Sequence, residues 1–119
     1  MARRLIADIV RGGLYSAAFP RVGDKLVLVV SWDAINRGMR SPIVCLVTST
    51  PRERNLPTNV ALPAGTAGNE RDSWILCHEL ATLDAKDIRQ ELGKIPTPLL
   101  VQVENALRRA LDLGHSSAT

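Results

Sequence analysis

Residues 23–50, GDKLVLVVSWDAINRGMRSPIVCLVTST, decide the architecture. Two runs within them, residues 26–30 and 43–47, hold only Leu, Val, Ile and one Cys, with no charge. Runs this short and this rich in β-branched side chains read as buried strands, not helices. The polar connection between them, Asp33 to Gly38, is followed by Ser41-Pro42, a turn signal. A connection of that length lets the two strands pair antiparallel, with the start of one beside the end of the other. Lys25 enters the first strand, and Thr48, Ser49 and Thr50 leave the second. The reading therefore puts an ammonium next to a hydroxyl cluster at one rim of a sheet.

Outward from this stretch, residues 14–19 read as an earlier strand, and Pro20-Arg21-Val22-Gly23 as a hairpin turn into the Lys25 strand. Residues 59–62 and 73–77 read as further strands, the second ending at His78-Glu79. Asp84 is a plausible N-cap for one or two helical turns over residues 85–91, and residues 93–95 return as a short strand. Thr97-Pro98 signals a helix start, with Thr97 as N-cap. Leu100, Val103, Leu107, Ala110 and Leu111 form its apolar stripe, Glu104, Arg108 and Asp112 lie four apart on another face, and Gly114 ends it. The connections are too short for parallel crossovers. The sum is a mainly β fold with a C-terminal helix: an antiparallel, partly closed barrel with the helix packed against it.

A chain of 119 residues supports one domain and one modest core, here residues 1–119 with 1–10 as an N-terminal arm and 115–119 as a disordered tail. Only one Tyr, one Phe and two Trp are present, so the core must be built from aliphatic side chains. Cys45 and Cys77 sit inside apolar runs and read as buried thiols; no CxxC pair exists, and a metal site is not expected. No apolar run is long enough to span a bilayer, and the N-terminal residues do not read as a signal peptide, so a cytoplasmic location with no membrane contact is expected. Residues 1–54 carry 9 basic and 4 acidic side chains, against 6 and 8 in residues 55–119. A basic front half containing the rim points to a polyanionic partner.

By residue chemistry alone, several functional readings stay open. A lysine at a strand entrance is commonly a solvated edge residue, and Thr-Ser-Thr a turn-forming cluster. His78-Glu79 fits an acid–base pair or a hydrogen-bonded structural pair. No glycine-rich phosphate loop with a strand-then-helix context is present.

Read whole, the chain resembles the MazF/PemK family of toxins from bacterial toxin–antitoxin modules. The resemblance rests on RGGLY, KLVLVVSWDAINR, VCLVTST, LPTNVAL, GNERDSWIL, LATLDAKDI and GKI in that order, from Arg11 to about Leu113. It implies a small SH3-like antiparallel β-barrel of the MazF/PemK/CcdB-like kind, acting as a homodimer. It implies an endoribonuclease that needs no metal or other cofactor. Such an enzyme cuts single-stranded RNA (mRNA, or tRNA or rRNA) at short motifs, leaving 2′,3′-cyclic phosphate and 5′-hydroxyl ends. A cognate MazE/PemI-like antitoxin would neutralise it by covering the RNA groove.

The positions matching the family's catalytic pair are Lys25, where an Arg is usual, and Thr48. Lys25 as an ammonium would stabilise the phosphorane and donate a proton, while losing the bidentate fork of Arg. Ser49, Thr50, Arg52, Arg54, Arg21, His78 and Glu79 are the expected RNA-binding residues. Three departures stand out: Leu26 for a Pro, a short loop over residues 20–24 in which only Asp24 offers a carboxylate, and Ala81 where the family carries Arg. The cleavage motif therefore does not carry over. Two other readings fit the fold: a gyrase-poison type acting on a protein, and an inactive RNA-binding member.

Overall fold

The strands form because each carries side chains that a half-buried pleated surface can use on both sides. The computed structural model describes residues 8–52 and 55–114. Strands β1 (Gly13–Phe19), β2 (Gly23–Val29), β3 (Ile43–Thr48), β4 (Asn59–Leu62), β5 (Ser73–Thr82) and β6 (Ile88–Lys94) precede one helix, α1 (Thr97–Leu111). They make one antiparallel sheet in the order β4-β5-β3-β2-β1-β6.

The sheet does not close by strand pairing, but it curls. In the loop after β4, Gly68 comes so near the outer strand β6 that an added Cβ would lie 2.5 Å from the Leu92 carbonyl oxygen. Gly93 meets the Ala67 carbonyl in the same way, at 2.6 Å. Backbone-to-backbone approach of this kind needs glycine on both sides. It bridges the two ends of the sheet and gives the barrel-like shape.

Alternation along the strands builds two apolar clusters. Leu14, Leu28, Cys45, Val47, Leu62, Ile75 and Cys77 face α1 and pack with its Leu99, Val103 and Ala106. Ile9, Tyr15, Ala17, Val27, Val29 and Val44 face the other way and are covered with Ala85 and Ile88. Ile9, read as part of an arm, is thus a core residue, 2% exposed; residues 1–7 and the tail 115–119 lie outside the described residues. Burial raises the Tyr15 phenol above its ordinary value, partly opposed by the hydrogen bond from the Val10 N–H to its Oη. Cys45 and Cys77 are free, buried thiols, and the Cys45 thiol is pushed up by its hydrogen bond to Cys77 and by burial.

Several local expectations change. The strand begun at Ser73 runs past Cys77 to Thr82, because β5 shifts register by three residues and pairs again: Leu46 faces Leu76, but Cys45 faces Leu80. Residues 85–91 are not one helical piece. Only Ala85–Asp87 turns, capped by the Asp84 side chain on the Lys86 N–H, and β6 begins at Ile88. In α1 the chain enters helix at Thr97 itself, with no side-chain cap, and the buried face runs through Leu99, Val103 and Ala106 while Leu111 is half exposed. Asp112 in the left-handed region, not Gly114, ends it. Glu104 pairs with Arg11 at 2.6 Å, not with Arg108. Arg11 is pre-positioned for this by its Nε bond to the Val30 carbonyl.

The β2–β3 connection is held by buried polar groups. Asn36, 1% exposed, bonds to the Ser31 hydroxyl and carbonyl and to Asp33 Oδ1. Asp33 Oδ1 also accepts from the Arg11 N–H at 2.8 Å, which holds its carboxyl below the ordinary value of 3.8. A depressed carboxyl stabilises the fold fully above the unfolded value and loses that contribution as pH falls through the folded one. Acid titration of the wild type should therefore lose stability as pH drops below about 3.8. Asp33→Asn should reduce that pH-dependent part, as read by denaturant midpoints across pH; an unchanged acid limb would discount the Arg11–Asp33 contact. No helix among the described residues is long and apolar enough to cross a membrane.

Candidate nucleic-acid cleft

The site is built by the register of β2 on β3. The β2–β3 ladder ends where Leu26 faces Val47, and Lys25 and Thr48 are the next residues of the two strands at that end. Lys25 alternates with Val27 and Val29, and Thr48 with Leu46 and Val44, all on the sheet face away from α1. The two residues therefore sit at adjacent strand ends on one face and line one cleft. Thr48 Oγ1 accepts from the Thr50 N–H at 3.1 Å. That local turn occupies one lone pair and leaves the O–H to donate outward.

Both side chains line a cleft of about 1090 Å³ at the open end of the sheet. Its lining includes consecutive residues of β2 and β3, so it wraps around the strand ends and reaches both faces. Ser49, Thr50, Arg52 and Glu79 line it as well. His78 does not; it lines an adjoining hollow of about 280 Å³ that shares Arg52, Leu76 and Glu79 with the cleft. There its Nδ1 lies 3.2 Å from Thr58 Oγ1 and its Nε2 3.5 Å from Glu79 Oε2. Arg21 sits exposed on the β1–β2 turn in left-handed backbone, outside the cleft lining. Arg54 lies outside the described residues.

The cleft is not simply basic. Lys25, Arg52 and Arg71 share it with Asp24, Glu70, Glu79 and Glu91. A polyanion would be met by local cations rather than by a broad positive field, and the carboxylates provide proton acceptors beside them. Sequence reasoning missed Arg71. The available signal was topological: if Thr48 leaves one strand, the next antiparallel neighbour must enter beside it, and Trp74 indeed pairs with Thr48 three residues after Arg71. Among the described residues, no cluster of three or more metal-binding side chains occurs.

A curled antiparallel sheet with one C-terminal helix, and a rim that offers an ammonium, a hydroxyl and two guanidinium groups to an anion, defines a class of small barrel-like β protein. The chain belongs to the family of PemK-like, MazF-like toxins of type II toxin–antitoxin systems, whose model matches residues 10–111. Among its relatives is endoribonuclease MazF6 of Mycobacterium tuberculosis, 35% identical over 88 residues, which are 73% of this chain and 77% of that one. Endoribonuclease EndoA of Bacillus subtilis is 31% identical over 111 residues, 88% and 96% of the two chains. A solved mycobacterial endoribonuclease in complex with its cognate antitoxin matches with a TM-score of 0.80 at 25% identity, over 90% of this chain and 98% of that one. A chain of a MazE–MazF complex from Deinococcus radiodurans matches with a TM-score of 0.72 at 28% identity, over 87% and 95%.

Proposed function

We propose that this protein is a single-domain toxin of a type II toxin–antitoxin module that acts as a metal-independent endoribonuclease on single-stranded RNA. The observation that carries the reading is the cross-strand pair of Lys25 and Thr48 at the mouth of the cleft. A single strand exposes its phosphates and 2′-hydroxyls to such an open groove. The 2′-oxygen attacks phosphorus as its proton passes to a cleft carboxylate, Asp24 or Glu79. The bond from phosphorus to the 5′-oxygen then breaks, and that oxygen takes a proton from the Lys25 ammonium. The products are a 2′,3′-cyclic phosphate and a 5′-hydroxyl. Thr48, with its O–H free to donate, steadies a non-bridging oxygen as charge builds there. Arg52 and the hydroxyls of Ser49 and Thr50 hold flanking phosphates, and the His78 hollow receives an adjacent nucleotide.

The decisive experiment treats a long RNA with the purified protein in chelator and maps the fragment ends. Cyclic phosphate ends at a recurrent short motif are expected. Intact RNA, with trapped gyrase–DNA complexes instead, would replace this reading by the protein-target one; RNA binding without cleavage would make the chain an inactive member.

The relatives solved with antitoxins support a cognate antitoxin here. In this reading it neutralises the toxin in the cytoplasm through an acidic segment that folds over the cleft. Such a segment should compete with RNA in an anisotropy titration, whereas simultaneous binding would separate the two sites. A homodimer completes the reading. Trp32 and Met39, each 71% exposed, are the most exposed large apolar side chains among the described residues. The buried Ser31–Asn36 network holds the connection that carries them rigid, so little entropy is lost on burying them against a second copy.

A further inference from the structure

We infer that Arg71 binds the scissile phosphate, supplying the paired N–H donors that Lys25 lacks. The inference rests on the ribonuclease reading and deepens it.

The first observation is the way the loop before β5 is fixed. Asn69 lies in a surface connection and Ser73 opens β5 beside it, yet each of these polar residues is only 4% exposed. Asn69 Nδ2 donates to the Arg71 carbonyl at 2.5 Å, and Ser73 Oγ donates to the same carbonyl at 2.9 Å. Asn69 Nδ2 also reaches Ser73 Oγ at 3.2 Å, and the Asn69 carbonyl accepts from the Gly65 N–H at 2.7 Å. Buried polar groups are costly unless satisfied, and satisfied ones make a rigid unit. Two of them converge here on the backbone of one residue. The contact of Gly68 with β6 holds the same loop from the other side.

The second observation is where that residue points. Arg71 is exposed and lines the cleft shared by Lys25 and Thr48. Among the described residues no ion pair engages Arg71 or Lys25, although carboxylates line the same cleft. A fixed backbone carrying an unpaired guanidinium into the cleft is what anion capture requires.

The chemistry divides between the two cations. An ammonium is a point charge that can give up a proton, which suits the departing 5′-oxygen. A guanidinium stays protonated and presents donors in a planar fork that matches two oxygens of one phosphate. Arg71 therefore grips the non-bridging oxygens through the phosphorane and neither gives nor takes a proton. The bonds made and broken are those already described.

The test uses the full chain, a short fluorescent RNA carrying the motif mapped for the wild type, and single-turnover cleavage in chelator. Arg71→Ala should lower the cleavage rate by about 100–1,000-fold, the range for losing one preorganised transition-state donor. Its salt slope for RNA binding, read by anisotropy, should fall by about 0.7, one phosphate contact on a single strand. Arg71→Lys should restore the salt slope but stay at least about tenfold slow, because it lacks the fork. Thermal unfolding of both variants checks that the exposed substitution leaves the fold intact. Wild-type cleavage with Arg71→Ala within twofold of it overturns the inference and leaves the ribonuclease reading standing. A wild type that binds RNA through Arg71 without cutting it overturns the catalytic reading and retains the phosphate contact. No Arg71 dependence in either assay, with no cleavage, removes both.

Discussion

Thr48→Ala and Lys25→Ala should each lower RNA cleavage by about 100–1,000-fold, the range seen when one preorganised donor to a developing charge is removed. The effect should fall on the chemical step and only weakly on RNA affinity. Arg52, Ser49 and Thr50 in the same cleft continue to hold the strand. The two losses should not add. The two residues sit at adjacent ends of β2 and β3 in one cleft and serve one phosphate, so the double variant should sit close to the worse single one. Lys25→Arg keeps the charge and adds the fork, but guanidinium is a poor proton donor; it should retain binding and lose part of the rate. Rate constants from single-turnover cleavage decide this. Two variants that both cleave at wild-type speed would take the catalytic centre away from this pair.

Gly68→Ala should lower stability by about 2–4 kcal/mol, combining a strained backbone with overpacking. Gly68 has φ +78°, where an alanine is disfavoured, and the new methyl would sit 2.5 Å from the Leu92 carbonyl oxygen. Neither partner can yield easily, since both are backbone. Gly65→Ala is the control: its φ is +91°, but nothing lies within 4 Å of the added atom, so it should cost only about 1 kcal/mol. The difference between the two, read from denaturant midpoints, isolates the clash. The Gly68 variant should also lose cleavage beyond what its unfolded fraction explains, because the displaced loop carries Arg71 away from Lys25. Equal, small effects at both glycines would mean that the loop does not rest on β6.

Most strands and the helix were legible in the sequence because their signals are local; β6 was not, since residues 88–91 read as helical and become a strand by pairing with the distant β1. The uncharged runs around Leu28 and Cys45 admit little except buried strands, and the polar connection between them is short enough to allow antiparallel pairing, which the sheet adopts. The rim of Lys25 and Thr48 followed from that pairing alone, since register and alternation are both set within one hairpin-like unit. The helix position was legible too, but its buried face was not. Leu99 and Ala106 replace Leu111 as packing residues, because which stripe a helix buries depends on how it lies on β4 and β5.

What the amino-acid order determined by itself was therefore β1 to β4, the first half of β5, the helix and the residues at one rim. Tertiary structure alone decided the rest. The three-residue slip in β5 turns His78 toward Thr58 and away from the cleft. The Gly68–Leu92 approach bends distant ends of the sheet together, and the buried Asn69–Ser73 pair fixes Arg71 beside the rim. Each depends on a contact whose partner lies in another part of the chain, or on a burial that no window of neighbouring residues reveals. Hydrophobic periodicity reports how a segment meets its surroundings, not which surroundings the folded chain brings to it.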